Sequence, residues 1–181
     1  MLIENIRKHY PPALELIPLG LILVSVLYLV FHFGKLPDEI PTHFDITGQP
    51  DAWGKKYTLI ILLVLQLYLY MQTWLLSYFL VIKPEGKEAL HYINMPFVKK
   101  EALTPEQVNH IKRQMARMMI MIHILVQFLF LYLIFGSVQT AYGVWPGLGK
   151  GILFFVIILI MAPAYYVGKS YRVAKKGRQS A

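Results

Sequence analysis

Gly34 to Tyr57 reads GKLPDEIPTHFDITGQPDAWGKKY, a polar segment punctuated by proline and glycine between two apolar runs, each long enough to cross a bilayer. Pro37 and Pro41 fix φ and remove backbone donors, so the chain must leave the preceding helix as extended backbone. Beyond them the residues alternate. Ile40, Thr42, Phe44 and Ile46 fall on one side, and His43, Asp45 and Thr47 on the other, the period of a short half-buried strand. Thr47-Gly48-Gln49-Pro50 has the composition of a turn, and Asp51-Ala52-Trp53-Gly54 that of a second bend. An ordered cap over residues 34–57 is expected, rather than a loose linker.

Working outward, 56% of the chain is hydrophobic and only 15% is charged, and the apolar residues gather into four blocks. That distribution belongs to an integral membrane protein. The expected fold is all-α: a four-helix transmembrane bundle forming a single membrane domain over residues 1–181. Its spans lie at about 13–33, 58–82, 115–136 and 151–168. The cap joins the first two spans, a basic loop at 83–114 joins the middle pair, and a basic tail occupies 169–181. The first apolar run lacks a small-residue cleavage site and reads as a retained signal anchor. The absence of cysteine rules out disulfides and thiol chemistry.

Basic residues orient the chain. Arg7, Lys8, Lys83, Lys87, Lys99, Lys100, Lys112, Arg113, Arg117, Lys169, Arg172, Lys175, Lys176 and Arg178 share one side of a four-span arrangement, whereas Lys35, Lys55, Lys56 and Lys150 share the other. The positive-inside rule then predicts cytoplasmic N and C termini and an extracellular cap. Lys112, Arg113, Arg117, Lys169, Arg172, Lys175 and Lys176 are expected to touch lipid phosphates. Nucleic-acid binding has no supporting pattern of basic and aromatic residues.

Local signals fill in the rest. Thr104-Pro105-Glu106-Gln107 is a capping box, predicting a helix that runs from Pro105 into the third span, and Asn94-Met95-Pro96 ends any helix begun near Glu88. Pro163 is expected to kink the fourth span or to mark where it surfaces. Gln66 and Gln72 are the polar residues of the second span. His123 and Gln127, four apart, share a face of the third. Such groups hydrogen-bond between helices or line a polar path. Glu15 suits the first turn of a helix near the headgroups.

Leu36-Pro37, Ile40-Pro41, His43-Phe44, Gly48, Asp51, Trp53-Gly54 and Lys56 together resemble the signature of a bacterial membrane domain of unknown function, number 1648. That domain is also found at the N-terminus of SdpI-like immunity proteins. The resemblance covers about a third of the chain, and the third and fourth spans show no counterpart of those proteins' C-terminal domain. It implies a multi-pass protein of the bacterial cell membrane with the cap outside, and, for some relatives, immunity to a secreted peptide toxin and signalling of its presence.

Three functional readings stay open beside a structural one, in which Trp53 and Phe44 anchor the cap at the interface and His43 with Asp51 or Lys56 ties it together. In the first, His43, Phe44, Asp45, Asp51, Trp53 and Lys56 bind an extracellular peptide or a partner membrane protein. In the second, His43, Asp45 and Asp51 hold a metal ion. In the third, Gln66, Gln72, His123 and Gln127 line a small channel or transporter subunit, as a homo-oligomer. No nucleophile beside a base and no paired intramembrane carboxylates occur, so neither an enzyme nor a cofactor is expected.

Overall fold

A computed structural model describes residues 2–96 and 98–176, apart from the side chains of Lys87 and Lys176. The elements are α1 (Leu2–Arg7), a 3₁₀ turn (Pro12–Glu15), α2 (Leu16–Phe33), β1 (Glu39–Phe44), β2 (Pro50–Lys55), α3 (Thr58–Leu76), α4 (Gly86–Tyr92), α5 (Pro105–Ala141) and α6 (Gly151–Lys176). A short 3₁₀ turn, Lys100–Ala102, precedes α5. Among the described residues, four stretches are long and apolar enough to cross a membrane: Pro12–Phe33, Thr58–Ile82, Pro105–Ala141 and Gly151–Lys175. The chain is therefore a multi-pass membrane protein. Large apolar side chains such as Val30, Phe31 and Ile160 point outward, because lipid, unlike water, imposes no cost on them.

Two helices run further than their apolar cores. The 37 residues of α5 start at Pro105, where the Thr104 hydroxyl accepts from the Gln107 amide at 3.3 Å and the Gln107 side chain accepts from the Thr104 amide at 2.9 Å. This reciprocal pair is the expected capping box. In turn, α6 continues through Pro163 to Lys176, so the proline does not end it. α4 stops at Tyr92, ahead of Asn94-Met95-Pro96. The end of the second span widens into a π turn over Ser77–Ile82, closed by Lys83 N–H to Tyr78 O at 2.8 Å.

The chain forms two compact units. One comprises residues 2–15, 72–123 and 160–176, with a core of Ala89, Ile93, Val108, Ile111 and Ala174. Gln107 donates to Val173 O at 3.0 Å, and the Tyr171 hydroxyl donates to Pro96 O at 2.9 Å. The other comprises residues 16–71 and 124–159, built on Leu29, Leu36, Ile40, Leu59 and Val138.

The cap belongs to this second unit and is an antiparallel hairpin. Its register pairs Glu39 with Lys55, Ile40 with Gly54, Pro41 with Trp53, His43 with Ala52 and Phe44 with Pro50. The expected bend at residues 51–54 is therefore a strand, β2. Irregularities on both sides of His43 break the two-residue period. Ile40 is fully buried, yet Thr42 is exposed and Ile46 is 81% exposed, so the apolar face expected from alternation does not persist past the bulge.

Candidate functional site

The tip of the hairpin is shaped by Asp45. Its Oδ1 accepts from the Thr47 amide at 2.8 Å, the Thr47 hydroxyl at 2.7 Å and the Gln49 amide at 2.9 Å. The Asp45 amide donates to Gln49 O at 2.8 Å, and the Gly48 amide to Asp45 O at 2.9 Å. Hydrogen bonds from Thr47 and Gln49 hold the Asp45 carboxyl below the usual aspartate range. Gly48 turns with φ 82, a conformation that glycine adopts without a Cβ penalty.

The base is tied by Lys56. Its ammonium donates to Leu36 O at 3.2 Å, lies 3.4 Å from the Asp38 carboxylate and sits 5.6 Å from the centroid of the Phe33 ring. Its own amide donates to Asp38 O at 3.1 Å. These bonds join the end of α2 to the start of α3. Lys55 and Glu39 form a looser exposed pair at 3.9 Å.

On the hairpin surface, His43 Nδ1 meets Asp51 Oδ1 at 2.5 Å, bridging the strands. Trp53 is 57% exposed and Phe44 is half-buried. The suggested metal trio is not assembled. Asp45 is committed to its turn, and among the described residues no three His, Asp or Glu side chains are grouped to hold an ion. Of the six residues expected to act together, Asp45 and Lys56 shape the tip and base, His43 and Asp51 bridge the strands on the exposed surface, Trp53 projects from it and Phe44 is half-buried.

Sequence reasoning missed the partner of the tip. The Leu148 amide donates to Gly48 O at 2.7 Å, the Leu148 carbonyl accepts from the Tyr132 hydroxyl, and the Leu148 side chain is buried. A Cβ on either Gly48 or Gly147 would collide with backbone of the other segment, so both positions require glycine. The glycines of 147–149 were visible as punctuation, but nothing local pointed to the hairpin. Also missed was a cluster beside α2, where His32 Nδ1 lies 3.2 Å from the Tyr142 hydroxyl and Gln139 donates to Tyr28 Oη at 3.0 Å.

The intramembrane polar residues divide. Gln66 and Gln127 are fully buried in the second unit, where Gln66 Nε2 approaches Gln127 O at 3.5 Å. His123 is buried as well. Gln72 is exposed on α3 and does not join them.

The basic residues divide too. Lys112 is only 6% exposed and donates to Pro84 O, and Arg117 donates to His9 O at 3.1 Å, so both hold the protein together. Arg113, Arg172 and Lys175 are exposed. Lys169 lies 5.9 Å from the Tyr165 ring centroid. The Lys176 side chain and Arg178 lie outside the described residues.

An uncharacterized protein of Archaeoglobus fulgidus is 39% identical over 49 residues, covering 26% of this chain. The aligned stretch spans only about a quarter of that relative's length, 27%. No solved structure matches the chain. Residues 20–67, which form most of α2, the whole hairpin and the first half of α3, match the family model described as domain of unknown function DUF1648, and this membrane hairpin is a domain of that kind.

Proposed function

We propose that this is a protein of the bacterial cytoplasmic membrane whose hairpin faces outside and binds an extracellular peptide or the exposed part of a partner membrane protein, in toxin immunity or envelope signalling. The carrying observation is a hairpin pinned at both ends that still presents bare apolar surface. Lys56 fixes the base and Leu148 the tip, while Trp53 and Ile46 project from it. A pre-ordered loop loses little entropy on binding, and tryptophan is a frequent anchor of interfaces. Among the described residues the sheet has two strands, so each has an outer edge to which an extended peptide can add. The excess of basic residues on the opposite side supports the orientation.

The chain contains no cysteine, which makes a single introduced one a clean reporter. Ile46→Cys should react with a membrane-impermeant maleimide in intact cells. A photo-crosslinking residue at position 53 should yield a discrete protein or peptide adduct, absent when the same residue replaces Val64 on α3. Reaction of Ile46→Cys only after permeabilisation, or identical lipid adducts from positions 53 and 64, would overturn the reading.

A further inference from the structure

The unit containing residues 2–15, 72–123 and 160–176 holds an open cavity of about 650 Å³, remote in sequence from the hairpin. Lys8 and His9, which follow α1, line one part, Lys112 and Arg113 on α5 another, and Glu85 a third. The Lys8 ammonium is 2.8 Å from Glu85, so the contact of that carboxylate is with Lys8 and not with Lys112 or Arg113. Lys112 and Arg113 have no carboxylate within ion-pair distance among the described residues.

Lys112 presents the anomaly. Its ammonium is nearly enclosed, yet the single hydrogen bond from it among the described side-chain bonds goes to a neutral carbonyl, that of Pro84. Glu85 and Glu88 are near enough to act on it electrostatically, but neither touches it, and an ammonium removed from water without a counter-charge in contact is costly. The His9 ring adds a second unmet need: it is more than nine-tenths buried, and its Nδ1 finds no hydrogen-bond partner among the described residues. Leu90, Leu103 and Val108 supply apolar wall beside these groups.

We infer that this cavity is a binding site for a phosphoryl anion, carried by an anionic phospholipid headgroup or by a soluble phosphate compound. Several oxygens on one phosphorus accept from divergent donors, which suits the remaining N–H groups of Lys112, the fork of Arg113 and the ammonium of Lys8. The apolar wall accommodates the glycerol and upper acyl carbons of a lipid. The site stands independently of what the hairpin binds.

The test uses the full chain in maltoside micelles, with phosphatidylglycerol, phosphatidylcholine and inorganic phosphate as probes. Binding is read by native mass spectrometry and by the NMR signals of the His9 ring. Saturable one-to-one binding of phosphatidylglycerol is expected, weakened about tenfold or more by Arg113→Gln, the scale of one lost charge-assisted hydrogen bond. Inorganic phosphate shifting the His9 signals, with the same loss in Arg113→Gln, would assign the site to soluble phosphates; response to the lipid alone would assign it to headgroups. Arg113 is exposed, so its substitution leaves the fold intact, and Lys112→Met, checked by thermal melting, is the second variant. Uptake that never saturates, or equal affinity in Arg113→Gln and the unaltered protein, overturns the site.

Discussion

The ammonium of Lys56 reaches back across twenty residues to the carbonyl of Leu36, 3.2 Å away, and closes the loop that the hairpin occupies. The lysine side chain is only 17% exposed, so solvent screens this bond little. Lys56→Met keeps the aliphatic stem and removes the charge. It should cost about 1.5–3 kcal/mol, the worth of a hydrogen bond to a charged group, read as a lower thermal midpoint in detergent. Lys56→Arg should recover part of the loss.

Acid should loosen the N-terminal segment through His9. Burial first, then the charges of Lys112 and Arg113, lowers its pKa from 6.5 to about 4. The unfolded chain therefore takes up a proton between those values that the folded chain refuses. The stability due to neutral His9 is complete above about pH 6.5 and is lost as pH falls toward 4, an effect of at most about 3 kcal/mol. His9→Gln should flatten this part of the pH profile of the thermal midpoint.

Gln72 sits close to the middle of Thr58–Ile82 with its side chain exposed. A lipid-facing amide without a partner costs about 1–3 kcal/mol by the scale of protein substitutions. Gln72→Leu should therefore raise the thermal midpoint in bicelles, whereas Gln66→Leu, which removes the donor 3.5 Å from the Gln127 backbone carbonyl and changes the shape of a fully buried side chain, should lower it. A fall with Gln72→Leu would mean that the amide is satisfied in the assembled protein.

What the sequence made legible was local or periodic. The Thr104–Gln107 box, the long start of α5 and the four crossings all follow from neighbours within a few positions, and the turn expected at residues 47–50 falls slightly earlier, at 46–48, with Pro50 already in β2. The strand at residues 50–55 was not readable from Asp-Ala-Trp-Gly, because its strand character comes from pairing with β1. Ile46 was placed inside by alternation, but the bulge at His43 breaks the phase. That Lys56 could tie the cap was readable, but its partners were not, since one is the backbone carbonyl of Leu36, which has no residue identity, and the other is Asp38 at the opposite end of the loop. Gln66 and Gln72 looked equivalent because α3 is apolar all round, leaving its buried side undetermined until packing chose it.

The bond from Leu148 to Gly48 makes the hairpin and the α5–α6 connection one mechanical piece. Traction on the tip passes through Leu148 to the Tyr132 hydroxyl on α5, with glycines on both sides leaving no slack in the joint. Whatever grips the loop between the first two crossings thereby also has a handle on the third.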